Sequence, residues 1–173
     1  MLNDNHMNES HINETDTEGS IDNRYLCFSL GHERFAIPLL QVREVIGVPE
    51  FTRIPYAPKY FCGIMNLRGK VISVIDLREK LNIQSRGKEE NCVIVCNLDH
   101  ILMGALVDSI DFVANIKKEE ILEKPETQTT VRTDFIKGLY NYKHELIVFL
   151  HLAKTLSIED ILQIQKSNGT EQI

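Results

Sequence analysis

Apolar and polar residues alternate through most of this chain, the two-residue period of half-buried strands. Tyr25–Leu30 sets Leu26, Phe28 and Leu30 on one face and Tyr25, Cys27 and Ser29 on the other. Gly31-His32-Glu33-Arg34 reads as a turn, after which Phe35, Ile37 and Leu39 continue a second strand. Val42, Val45 and Ile46 follow at helical spacing and predict one turn of helix. Pro49, Pro55 and Pro58 hold residues 49–60 in loop or edge conformations. Ile64–Leu67 and Val71–Ile75 are short apolar strands around Arg68-Gly69-Lys70, a hairpin signal, and Asp76–Leu81 predicts a short helical turn. Only the end is clearly helical. Ser157-Ile158-Glu159-Asp160 resembles a capping box with Asp in place of Glu or Gln, and a helix over 157–166 is expected to pack on the strands.

The second half repeats the first. Tyr25–Leu40 laid over Val93–Asp108, an offset of 68, matches Leu26, Phe28 and Leu30 with Ile94, Cys96 and Leu98. Gly63–Leu81 laid over Gly138–Leu156, an offset of 75, matches Gly63, Asn66, Ile72, Leu77 and Leu81 with identical residues. Each half thus reads hairpin, connection, glycine, hairpin, short helix, and the same order twice indicates duplication. The expected fold is all-β with a minor helix: two tandem five-stranded small barrels of SH3/OB-like size, residues 23–90 and 91–157, since closure removes exposed sheet edges.

Charge changes this picture at both ends. Residues 1–22, rich in Asn, Glu, Thr and Asp, have little to bury and are expected to be a disordered acidic tail. The first 23 residues carry six acids and no Lys or Arg, which accounts for the whole net charge of −6. Residues 53–88 carry eight bases against Asp76 and Glu79, whereas the chain from Glu89 onward holds eight bases against fourteen acids. A basic stretch facing an acidic one orients a partner through its field. No apolar run approaches the roughly 20 residues of a membrane span, and no membrane insertion is expected.

Catalytic and cofactor signatures are missing. The sequence has no GxxxxGK[ST] or GxGxxG phosphate loop and no GxSxG elbow. Cys27, Cys62, Cys92 and Cys96 form no CxxC pair, so free thiols in a reducing cytoplasm are expected, with no metal and no cofactor. Asp108 and Asp111 are close in sequence but read as a strand end and its turn. The balance favours a binding module over an enzyme.

The stretch Gly63-Ile64-Met65-Asn66-Leu67-Arg68-Gly69-Lys70-Val71-Ile72-Ser73-Val74-Ile75-Asp76-Leu77 resembles the G-V-x-N-L-R-G-x-V-x-P-V-x-D-L pattern of the CheW family of chemotaxis coupling proteins. Phe28-Ser29-Leu30-Gly31 with Phe35–Leu39, Val42-Arg43-Glu44-Val45, Thr52-Arg53-Ile54-Pro55, Gly104–Asp108 and Phe135–Leu139 resemble further pieces of it, in order, across about residues 24–157. Ser73 replaces the usual proline, and His151 stands where Asp or Asn is common. The resemblance implies two five-stranded barrels with some exchange of strands and no enzymatic activity. It implies a cytoplasmic adaptor, monomeric when free, that joins chemoreceptor tips to the regulatory domain of the histidine kinase CheA in arrays.

On that footing, a receptor tip, which is a helical hairpin, would lay an apolar stripe into a groove. Leu39, Val42 and Val45, spaced by three, offer the groove if they form a helical turn. Arg68 offers a planar fork for carboxylates or carbonyls, Glu44 a polar rim contact, and Gly63 a close approach of backbones. The loop Glu123–Thr130, with Glu126 and Thr127, resembles the family's kinase-contacting region. Two other classes compete. A nucleic-acid-binding barrel draws on the basic stretch but has few aromatics for stacking. A small hydrolase would need an acid–base pair that the sequence does not display.

Overall fold

The computed structural model describes residues 21–87, 91–124 and 133–156. Among the described residues ten strands and two short helices follow one another. The first half gives β1 (Arg24–Leu30), β2 (Glu33–Pro38), β3 (Val42–Gly47), β4 (Phe61–Leu67), β5 (Lys70–Asp76) and α1 (Leu77–Leu81). The second gives β6 (Cys92–Leu98), β7 (Ile101–Val107), β8 (Ser109–Asn115), β9 (Ile136–Tyr142), β10 (Glu145–Leu150) and α2 (Leu152–Thr155). Offsets of 68 and 75 carry β1 onto β6 and β4 onto β9 residue for residue, so the repeat in the sequence is a repeat of structure.

The halves are interlaced. One sheet runs β8-β1-β2-β10-β9 and the other β3-β6-β7-β5-β4. Each five-stranded sheet of small-barrel type therefore takes a first hairpin from one half and its remaining three strands from the other. The two orders are the same once each strand is replaced by its repeat. The halves meet in two parallel pairs, β2 with β10 and β5 with β7, and in two antiparallel ones, β1 with β8 and β3 with β6; the pairs within each half are antiparallel.

This arrangement accounts for β1, whose two faces are both buried. Leu26, Phe28 and Leu30 join Phe35, Ile37, Ile94, Cys96 and Met103 in a central cluster built from both sheets. Tyr25 and Cys27, on the opposite face, pack with Ala36, Ile147 and Phe149. Met65, Ile72, Val74, Val93 and Val95 form the matching cluster of the other sheet.

The helical turn expected at Val42, Val45 and Ile46 is a strand instead. A single 3-10 turn, Leu39–Gln41, precedes it. β-Branched side chains favour the extended backbone, and β6 supplies the pairing. A bulge at Arg43 pairs Val42 with Cys96 and Val45 with Ile94. Cys96 and Ile94 are two apart on β6 and share a face, so the bulge brings Val42 and Val45 to one side with the spacing of three that imitates a helix. The same irregularity recurs at the repeat position, Asp111 in β8.

Of the stretch 1–22, residues 21 and 22 open a 3-10 turn, Ile21–Asn23; the remainder lies outside the described residues. The expected helix over 157–166 and the loop residues Glu126 and Thr127 also lie outside them.

Candidate functional site

The β4–β5 hairpin carries Arg68 at its tip. Arg68 and Gly69 both have positive φ, 51° and 83°, the backbone that a two-residue hairpin turn demands. Asn66 Oδ1 accepts from the Gly69 amide at 2.8 Å and steadies the turn. The guanidinium then lies along the Glu44 carboxylate of β3 as a two-pronged pair, Nη1 to Oε1 at 3.2 Å and Nη2 to Oε2 at 2.9 Å. The Arg68 side chain remains 75% exposed and that of Glu44 only 20%. Glu44 is thus the seat of Arg68 rather than a free rim carboxylate. The pair links the two ends of the sheet order, β3 and the β4–β5 tip. An ion pair this exposed adds at most about 1 kcal/mol to stability. What it does is aim a guanidinium outward with donors to spare.

The apolar candidates divide. Leu39 and Val42 are half-buried and pack on the central cluster, whereas Val45 and Leu40 expose 41% and 56% of their surface. Val71, beside the hairpin tip, is 70% exposed. Leu40 and Val71 were not singled out by periodicity, since neither sits on the predicted helical stripe.

Gly63 is buried beneath the connector, not displayed on the surface. The Thr52 backbone pairs with Ile64 in both directions, N to O at 2.8 and 2.9 Å. A Cβ on Gly63, whose φ is +139°, would stand 2.4 Å from the Thr52 carbonyl oxygen. Gly138, its repeat, lies likewise under Ile121 and Leu122. Both glycines let a connecting segment seal the edge of a sheet. A docked partner would feel Gly63 only through that segment.

Two polar clusters escaped the sequence reading because their members lie far apart in the chain. Arg78 Nη1 meets the buried Asp108 Oδ1 at 2.9 Å, and Asp76 flanks the same guanidinium at 3.4 Å. Asp108 Oδ2 accepts from the Gly31 amide at 2.6 Å, so the cluster joins the two sheets. In the other sheet Arg34 lies between Asp111, at 3.0 Å, and Glu145, and Ser29 donates to Asp111. Each carboxylate in these clusters is matched by a cation or donor, which is the economy of a structural tie. Among the described residues no group of three or more His, Cys, Asp or Glu side chains could hold a metal ion, and no helix is long and apolar enough to cross a membrane.

A duplicated, strand-exchanged pair of small barrels with an arginine-tipped hairpin where one sheet meets its own edge has the architecture of a scaffolding module. Residues 24–160 match the CheW-like domain, and the chain belongs to that family. It is 33% identical over 143 residues to the chemotaxis protein CheW of Klebsiella aerogenes, covering 82% of this chain and 86% of that one. It is 30% identical over 135 residues to the chemotaxis protein CheW of Helicobacter pylori, covering 77% and 81%. Among solved structures it superposes on the scaffolding protein TtCheW from Thermoanaerobacter tengcongensis with a TM-score of 0.73 at 30% identity, covering 80% of this chain and 90% of that one. The fold class and the family expected from the motifs therefore stand.

Proposed function

We propose that this chain is a chemotaxis adaptor that acts by binding alone, in the cytoplasm, joining a chemoreceptor tip to the regulatory domain of the histidine kinase CheA. Family membership and the names of its relatives support chemotaxis and scaffolding; the residues supply the rest of the reading. The observation that carries it is Arg68, held at a hairpin tip on a Glu44 seat with three-quarters of its side chain in solvent. A fork of donors, together with exposed Val45 of β3, Leu40 of the turn before it and Val71 of β5, suits the end of a helical hairpin, which offers carboxylates and carbonyls next to an apolar stripe. Leu39 and Val42 back this surface from the core side, and Gly63 holds its flanking connector. The kinase contact falls to the second half, with Glu126 and Thr127 in its loop.

Co-purification tests this directly. A receptor-tip fragment and a CheA regulatory domain, offered separately to the full chain, are each retained, and offered together they are retained at once. Failure to hold either, or turnover of a metabolite, overturns the reading.

A further inference from the structure

Among the described residues three hairpins close on a two-residue turn with both residues at positive φ. Leu67 pairs with Lys70 across Arg68-Gly69, Leu98 with Ile101 across Asp99-His100, and Tyr142 with Glu145 across Lys143-His144. The φ values are 51° and 83°, 46° and 75°, and 48° and 71°. An asparagine stands two residues before each turn: Asn66, Asn97 and Asn141. Asn66 Oδ1 accepts from the Gly69 amide at 2.8 Å, whereas Asn97 and Asn141 make no side-chain hydrogen bond among the described residues. Such a turn therefore forms without this bond. What the bond adds at Arg68-Gly69 is something other than the fold of the hairpin.

The Arg68 tip has a particular need of it. Its second residue is glycine, which has the most backbone freedom, where the other two tips carry histidine. Its first is an arginine in the left-handed region, a conformation that costs any residue with a Cβ. The amide of the second turn residue lies outside the strand ladder and still needs an acceptor, and Asn66 gives Gly69 one. That tether holds the backbone carrying Arg68, while Glu44 holds the guanidinium at 2.9 and 3.2 Å. Backbone and head are thus fixed separately, from β4 and from β3. Lys143, the repeat counterpart of Arg68, has neither support. Its ammonium lies 5.1 Å from the centre of the Tyr142 ring, and no carboxylate among the described residues pairs with it.

We propose that Asn66 is a positioning residue for docking: it acts through Arg68, keeping the tip in the geometry that a partner binds, and does not itself anchor the partner. The proposal rests on the reading above that Arg68 takes the receptor tip. Without the tether the tip is competent for only part of the time, and apparent affinity falls by that fraction. The duplication supplies the control, since Asn141 holds the same place in its hairpin without the bond.

The test titrates a receptor-tip fragment into the full chain and its variants. Asn66→Ala folds and binds roughly three- to tenfold more weakly, as a partly competent site does. In the nitrogen-15-labelled protein its Gly69 amide becomes more mobile by heteronuclear relaxation. Asn66→Asp keeps an oxygen acceptor for that amide and restores both readouts. Asn141→Ala leaves binding as it was. In a chain that already bears Arg68→Ala, adding Asn66→Ala costs no further affinity, the non-additivity expected of a residue that acts through another. A further loss in that background overturns the proposal, because Asn66 would then act on the partner or the fold directly. So does an Asn66→Ala protein that fails to fold, whose tether would be structural. Wild-type affinity in Asn66→Ala beside weakened binding in Arg68→Ala overturns the role of Asn66 and leaves the docking reading intact. Wild-type affinity in Arg68→Ala, or no binding by the wild type, overturns the docking reading and this proposal with it.

Discussion

Arg78 and Asp108 meet where the parallel strands β5 and β7 end together, guanidinium to carboxylate at 2.9 Å, with side chains only 13% and 5% exposed. The other Asp108 oxygen holds the Gly31 amide of the opposite sheet. Arg78→Ala leaves that carboxylate buried without its countercharge, and a loss of about 3 kcal/mol is expected. Asp108→Asn removes the charge while keeping an acceptor for Gly31, so it costs less. Urea midpoints at unchanged slope measure both.

The glycines rank themselves by the space above them. Gly63→Ala drives a methyl into the Thr52 carbonyl at a φ of +139° and costs roughly 2–3 kcal/mol, the range of a strained backbone position with a clash. Gly69→Ala meets open space at φ +83° and costs about 1 kcal/mol from the backbone alone. Gly47 has neither a neighbour within 4 Å nor a positive φ, so Gly47→Ala leaves stability unchanged. Thermal melts of the three proteins give the order; a Gly63 variant as stable as the Gly47 variant contradicts it.

Arg68→Ala weakens receptor-tip binding by roughly 1–3 kcal/mol, as loss of an interface anchor does, while the melting temperature stays put because the pair is exposed. Val42→Asp puts a charge against the central cluster that Val42 packs on. If it folds, it loses receptor binding more than kinase binding. Titrations with each partner separate the cases, and equal loss of both identifies Val42 as purely a core residue.

Burial pushes the Cys96 thiol up to about 12, and burial, then Asp111, pushes Cys27 up to about 11. At pH 8 both therefore resist an aromatic disulfide reagent until the protein is unfolded. Because the folded values lie above the unfolded value of 9.0, these thiols favour the native state fully below about pH 9. That contribution is lost as the pH climbs toward 11 and 12. The alkaline decline in stability should be shallower in Cys96→Ala, each protein being compared with its own neutral-pH value.

Asp76 caps α1 by accepting from the Arg78 and Glu79 amides, whereas its repeat, His151, makes no side-chain bond to the start of α2. His151→Asp supplies the missing acceptor at a similar backbone position and is expected to add about 0.5–1 kcal/mol. No gain in the urea midpoint means that this short helix is held by Leu152 and Leu156 alone.

The strands were readable because their alternation survives in short pieces, and the repeat located β6, β7, β9 and β10 from their counterparts. β3 was misread because one bulge at Arg43 converts a period of two into a spacing of three. Alternation tells which residues share a face but not which strand lies alongside, so the reciprocal pairing of β2 with β10 and β5 with β7 required coordinates. The same holds for the site. An Arg-Gly hairpin tip is visible in the sequence, but its Glu44 seat, 24 residues upstream, is not. Asp108 and Asp111 were noticed and set aside; their partners Arg78 and Arg34 lie 30 and 77 residues away.

Interlacing dictates an order of assembly. Strands β3 to β7 are all present once residue 107 has been made, whereas β1 and β2, the first to leave the ribosome, wait for β10 near residue 150 before their sheet is whole. A chain cut between residues 87 and 91 yields two fragments, neither holding a complete sheet. Each is an unfinished half that becomes a protein only in the company of the other.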